Sequence, residues 1–286
     1  MSEVIAAVVA AVLYVGSAAL IFVFGSSYYA LFRTNRSWLF RIGLVGGFAV
    51  AAGLSMRSRL DPTYGLLALA FLAAATANLI GAAVAHLQRP LGLRDDTLRG
   101  MGIAKGIEAI AVVGTILAIL AIGRVPLVSV YLAAGNVPLG LGIGLGGFAL
   151  FAVLAGGQAR QMKIPAATIG RLAPWILLFV LANGFMEEVW LRALFLAPLV
   201  PLLGPVAAIG LTAAVFALAH VGASYMSGQE RIRFLAILFP LGLAWGAATH
   251  FTGSLLASSL FHAGADLIIV NGFVASLHGT RPSATS

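Results

Sequence analysis

Long apolar runs recur along this chain, each ended by a short charged or turn-rich stretch. The pattern predicts about nine membrane-crossing helices, near 4–31, 39–56, 63–87, 105–123, 138–157, 172–197, 203–222, 233–250 and 254–276. Each approaches the roughly 20 residues needed to span a hydrocarbon core of about 30 Å. The second run is short and recruits Arg41 and Arg57 as snorkelling ends. Residues 125–137 are apolar but too short to cross. Residues 89–105, with Arg89, Arg94, Asp95, Asp96, Arg99 and Lys105, form the main polar connection and suit the start of an interfacial amphipathic helix. Met1-Ser2-Glu3 lacks a basic leader, and the apolar run Val4–Phe32 exceeds the core of a cleavable signal, so it reads as the first transmembrane helix. The expected fold is all-α: a polytopic transmembrane helical bundle of about eight or nine spans. Residues 1–171 supply N-terminal transmembrane helices, 172–276 a C-terminal helical core and 277–286 a disordered tail.

Composition agrees with this pattern. Of 286 residues, 61% are hydrophobic and 9% charged, against about 25% charged in a soluble domain. The chain is expected to be an integral, multi-pass membrane protein with membrane lipid as a partner. The net charge is +8, but the basic residues sit in short connections beside headgroups, so no nucleic acid is expected. Thirteen Lys and Arg residues fall in loops on one side of nine spans and three on the other, which puts the C-terminus in the cytoplasm. The absence of cysteine excludes disulfides and thiolate metal sites. Gly140/Gly144, Gly142/Gly146 and Gly242/Gly246 have the spacing of close helix contacts.

Charge becomes informative where lipid should exclude it. Between Leu172 and Gly228 the formally charged side chains are Glu187, Glu188 and Arg192, all within six residues. An intramembrane charge costs a few kcal/mol even on insertion scales, which makes such a cluster a functional-site hypothesis. Glu188 and Arg192 share a helix face at i,i+4 and can neutralise each other. Glu187 lies about 100° away and is left free to act as a base. Two later runs add polar groups: His220, which ends Phe216-Ala217-Leu218-Ala219-His220, and the i,i+4 pair His262 and Asp266. The first five runs offer chiefly Glu108, His86 and Asn78. The run boundaries place Glu187 and His220 at somewhat different depths.

Two chemistries suit a convergence of these groups. In one, Glu187 assisted by His220 activates a water against a peptide carbonyl, and His262, oriented by Asp266, donates to the oxyanion. In the other, Glu187, His220 and His262 hold a divalent metal such as zinc that acidifies the water. No His-Glu-x-x-His pair fixes two ligands on one helix, and there is no Gly-x-Ser-x-Gly elbow. A proton-coupled membrane transporter also uses buried Glu, His and Asp, though the charges here gather only in the last four runs. A non-catalytic membrane scaffold or immunity protein is the third alternative.

The motifs Glu187-Glu188-Val189-Trp190-Leu191-Arg192, Phe216-x-x-x-His220 and His262-x-x-x-Asp266, in this order, resemble those of the CPBP family of intramembrane proteases. That family includes CAAX prenyl endopeptidases of the Rce1 type and bacterial Abi proteins linked to bacteriocin immunity. The glycine-rich run Leu241–Gly246, followed by Thr252-Gly253-Ser254-Leu255, adds to the likeness, which covers about residues 172–273. The resemblance implies an intramembrane endopeptidase acting on a membrane-associated protein or peptide, a lipidated one included. It makes 172–276 a CPBP-like core, with Glu187 as the water-activating glutamate and His220 beside it. His262 and Asp266 fall at the oxyanion side, and Arg192 and Glu188 complete the site. Members are described as metalloproteases, and a metal-independent glutamate mechanism has also been proposed. The expected location is the bacterial cytoplasmic membrane. Oligomeric state is not legible in the sequence.

Overall fold

In the computed structural model of the chain, residues 3–25, 35–57, 62–92, 97–221 and 228–277 are described. Of the tail 277–286, expected to be disordered, Leu277 ends a helix and 278–286 lie outside the described residues, as do Arg94, Asp95 and Asp96 of the polar connection. The described residues form α1 (Glu3–Ala18, extended by π-helical turns through Phe24), α2 (Asn35–Arg57), α3 (Pro62–Gln88), α4 (Leu98–Ile122), α5 (Val137–Gln161), α6 (Ala166–Glu188), α7 (Leu194–Leu203), α8 (Pro205–Ala219), α9 (Gly228–Thr252) and α10 (Leu255–Leu277). No strand occurs among them. A helix satisfies its backbone donors within one span, which suits long apolar runs to crossing lipid. Eight helices among the described residues are long and apolar enough to cross a membrane, and the protein is an integral, multi-pass helical bundle.

The sixth and seventh predicted runs are built differently from two equal spans. A π-helical turn, Val189–Ala193, joins α6 to α7 and makes a helix of 38 residues, Ala166–Leu203. At 1.5 Å per residue it is about 57 Å long, nearly twice the hydrocarbon thickness. It ends at Gly204, whose φ of 79° is open to glycine and costly for other residues. Pro205 then starts α8, which packs back along α7. From Glu187 to Gly204 is 17 residues and from Gly204 to His220 is 16. The two arms are therefore about 25 and 24 Å long, and His220 returns to the level of Glu187. This hairpin removes the difference in depth that two independent spans imply. The predicted span 203–222 is thus the 15-residue α8, about 22 Å long.

Small residues bring the C-terminal helices together. Gly140 and Gly144 of α5 face Leu256 and Leu260 of α10, and Gly242 and Gly246 of α9 face Ala213 and Ile209 of α8. Gly142 and Gly146 point into open space and are not part of a seam. At Gly184, α6 meets α10 so closely that an added methyl would lie 2.9 Å from the Ala263 nitrogen. The segment 125–136 is a 3₁₀ turn (Leu127–Val130) and a loop pinned to the α9–α10 turn: Leu255 N–H donates to the Tyr131 carbonyl at 3.1 Å, and Asn136 N–H to the Thr252 carbonyl at 2.8 Å.

Candidate functional site

Three helix junctions meet where α6 ends. Glu187 and Glu188 stand in its last turn, Arg192 in the π-helical turn, His220 at the end of α8, and His262 and Asp266 on one face of α10. π-Helical turns inside α-helices are frequent at functional sites because they swing side chains out of helical register.

Glu188 and Arg192 form the buried base of the site. Both side chains are fully excluded from solvent, with Arg192 Nη1 3.2 Å from Glu188 Oε1. A second guanidinium nitrogen, Nη2, donates to the Gly242 carbonyl at 3.2 Å. The guanidinium also lies over the Phe216 ring at 4.6 Å and near Trp245 at 5.7 Å. In a desolvated setting such ring faces add to the support of a cation.

His262 Nδ1 lies 3.0 Å from Glu188 Oε1. A carboxylate paired with arginine accepts, so Nδ1 carries the hydrogen and Nε2 is left facing the site. Trp245 stacks flat on the imidazole, with ring centroids 4.0 Å apart and planes within 8°. His220 is fixed by the same logic. Its Nδ1 is 2.9 Å from the Phe216 carbonyl, which only accepts, so Nδ1–H donates and Nε2 is again the free atom. Phe216 touches both imidazoles, with centroids 4.7 Å from His220 and 5.5 Å from His262.

The two free Nε2 atoms converge on Glu187. Its Oε2 is 3.7 Å from His220 Nε2 and 3.6 Å from His262 Nε2, and has no hydrogen-bond partner among the described residues. Glu187 and His220 keep about a fifth of their side-chain surface accessible, whereas His262 keeps 3%. The accessible edge of the site is therefore the Glu187–His220 edge.

Asp266 holds a different place from the one expected of it. Its Oδ1 is 3.7 Å from His262 Nε2, and its Oδ2 accepts from Asn183 Nδ2 at 3.0 Å. Glu188, at 3.0 Å on Nδ1, orients His262 instead. Sequence reasoning missed Asn183, one turn before Glu187, and Trp245, which stood within the glycine-rich run. An amide in an otherwise apolar turn is a signal for the first, whereas nothing local marks the second. The other polar candidates stay apart from the site. Glu108 pairs with Lys105 at 2.9 Å, His86 packs edge-on against Trp38, and Asn78 accepts from Arg41 Nε at 3.0 Å.

A metal ion was one reading of Glu187, His220 and His262. Among the described residues, no group of three or more His, Cys, Asp or Glu side chains is arranged to hold one. The Glu187 contacts match the spacing of two ligands on a tetrahedral ion with bonds of about 2.1 Å, but the three residues together do not complete such a site.

Beside the α6–α10 crossing lies a cavity of about 640 Å³, lined mainly by apolar groups including Tyr131, Leu181, Phe185, Leu256 and Leu260. Phe185 is three residues from Glu188 and Ser259 three from His262, so the cavity wall begins one helical turn from the site.

Residues 169–268 match the family model described as type II CAAX prenyl endopeptidase Rce1-like. Comparison with curated proteins and with solved structures gives no match. The matched stretch runs from α6 into α10 and contains every site residue described above. At residues 169–268 the chain thus carries an Rce1-like CAAX-protease segment.

Proposed function

We propose that this protein is an intramembrane endopeptidase in which Glu187 activates a water against a peptide bond of a membrane-associated protein or peptide. The observation that supports it most is the unpartnered Oε2 of Glu187 between two imidazole nitrogens, at 3.7 and 3.6 Å. A water at this edge donates one hydrogen to Glu187 and the other to His220 Nε2, whose lone pair is exposed because Nδ1–H is committed to Phe216. Its oxygen attacks the scissile carbonyl as Glu187 takes the proton. His262 in its doubly protonated form donates from Nδ1 to Glu188 and from Nε2 to the developing oxyanion, and the surrounding Glu187, Glu188 and Asp266 balance its charge. The C–N bond then breaks, Glu187 returns its proton to the leaving amine, His220 Nε2 takes the remaining water proton from the new carboxyl group, and carboxylate and amine products depart.

This reading assigns no step to a metal. The neighbouring cavity suits an apolar portion of the substrate, a lipid-modified one included. The charged and imidazole groups gathered at one junction of α6, α8 and α10 favour a hydrolytic site over a proton path, which needs such groups in sequence across the bilayer.

The decisive experiment compares wild type with Glu187→Gln on an internally quenched peptide, farnesylated and unmodified, in detergent or liposomes. Loss of cleavage by about 10²–10⁴-fold, with normal insertion and unfolding temperature, is the expected result. Undiminished cleavage by Glu187→Gln overturns the mechanism.

A further inference from the structure

The wall of the cavity beside the site carries a polar group that the fold leaves unused. Three of the lining residues bear hydroxyls: Tyr131, Ser254 and Ser259. The Tyr131 hydroxyl lies 3.3 Å from His250 Nδ1, and Ser254 Oγ accepts from the Leu256 N–H at 3.2 Å. Ser259 Oγ has no hydrogen-bond partner among the described residues, and the residue keeps only 9% of its surface exposed. A buried serine inside a helix ordinarily donates to a carbonyl of its own preceding turn. The neighbouring residue does so, with Ser258 Oγ donating to the Leu255 carbonyl at 3.2 Å.

Packing alone does not explain a serine at this position. An alanine would hold the same helix without enclosing an unpaired hydroxyl, which is costly away from water. Ser259, His262 and Asp266 stand at i, i+3 and i+7, on one face of α10. That face meets α6: Ser259 lies at the Gly184 crossing, His262 reaches Glu188, and Asp266 reaches Asn183. Ser259 is displaced from His262 by about 4.5 Å along the helix, on the cavity side. An extended peptide advances about 3.3 Å per residue. A chain with its scissile carbonyl at His262 Nε2 therefore passes Ser259 within one or two residues. Such a chain carries an N–H and a C=O at almost every residue, and inside the membrane each needs a partner. A hydroxyl donates and accepts, so it serves either group.

We propose that Ser259 is a substrate-binding residue: its hydroxyl hydrogen-bonds the peptide backbone one or two residues from the scissile bond, where the substrate chain passes from the site into the cavity. The apolar portion of that chain then lies between Leu181 and Phe185 of α6 and Leu256 and Leu260 of α10. The inference rests on the proteolytic reading of the site. It also gives the substrate a direction, from His262 toward the N-terminal end of α10.

The test measures kcat, KM and unfolding temperature for wild type, Ser259→Ala, Ser259→Thr and Ser259→Val in the farnesylated-peptide assay, with Glu187→Gln as reference. Ser259→Ala should raise KM about three- to tenfold, the scale of one neutral hydrogen bond. The loss falls on KM rather than kcat, because the contact is made before and during the reaction alike. Without substrate, the unfolding temperature of Ser259→Ala should equal or exceed that of wild type, since the hydroxyl it removes has no partner in the fold. The Thr and Val variants share a shape and differ in the hydroxyl, so Ser259→Thr should keep the lower KM. A KM for Ser259→Ala less than threefold above wild type overturns the proposal. So does a lowered unfolding temperature, which marks a hydroxyl the fold itself uses, and so does an equal KM for the Thr and Val variants. Should the branched variants fail to fold, Ser259→Ala alone decides. The two readings fail separately. An inactive Glu187→Gln beside an unchanged KM for Ser259→Ala removes only the role of Ser259, whereas an active Glu187→Gln removes the proteolytic reading and this one with it.

Discussion

His262 and Glu188, 74 residues apart, meet at 3.0 Å through Nδ1, and this single contact determines which imidazole nitrogen faces Glu187. The Glu188 carboxylate serves two partners at once, His262 and Arg192, from inside a fully excluded position.

Removing one member of that pair should therefore cost more than removing both. Glu188→Gln leaves Arg192 as an uncompensated buried cation, a change that typically destabilises by about 3–5 kcal/mol. Glu188→Met combined with Arg192→Met should lose less stability than either single change. Thermal unfolding of the purified variants in detergent checks this, and a double variant less stable than both singles would contradict the pairing.

Gly184 sets the separation of α6 and α10. A methyl at this position would lie 2.9 Å from the Ala263 nitrogen and 3.1 Å from the Ser259 oxygen, both backbone atoms that cannot swing aside. Gly184→Ala should move Glu187 and Glu188 away from His262 and lower both cleavage and unfolding temperature. Gly142→Ala, which meets nothing within 4 Å, should leave both unchanged or slightly raise stability through helix propensity. Equal behaviour of the two variants would refute the role given to Gly184.

Trp245 holds the His262 ring by a flat stack at 4.0 Å. Trp245→Leu keeps an apolar side chain but no ring face, and kcat should fall by about tenfold, the scale of an aromatic pair. Trp245→Phe should retain an intermediate rate. Steady-state kinetics on the three proteins would show a graded series; an unaffected Leu variant would assign the stack to packing alone.

The donor arrangement around Glu187 leads to an expectation about metals. Prolonged incubation with a chelator should leave cleavage by wild type intact, since the proposed mechanism holds the water on Glu187 and His220 and routes no step through an ion. Inactivation reversed by added zinc would show that Glu187, His220 and His262 draw together around one.

The charged members of the site could be read from the sequence because lipid makes a charge conspicuous. Glu187, Glu188, Arg192, His262 and Asp266 stand out against apolar neighbours, and the i,i+4 spacing of Glu188 and Arg192 shows which acid has a partner. His262 illustrates the limit. Spacing tied it to Asp266 on its own helix, whereas the closer contact comes from Glu188 on another. Trp245 is apolar in character and gains meaning only from what folds against it. Helix count depends on a similar point: runs 172–197 and 203–222 look like two spans until Gly204 turns a long rod into a hairpin.

That hairpin has a consequence for how the chain tolerates change. Its two arms act as matched rulers that measure His220 back to Glu187, 17 residues out and 16 in. A residue inserted into either arm would displace the far end by 1.5 Å along the helix and turn it by 100°. Substitutions on the outer face of α7 and α8 leave this count intact, but a one-residue insertion or deletion there does not. The distance from acid to imidazole is thus recorded in the length of α7 and α8, which contribute no charged group to the site.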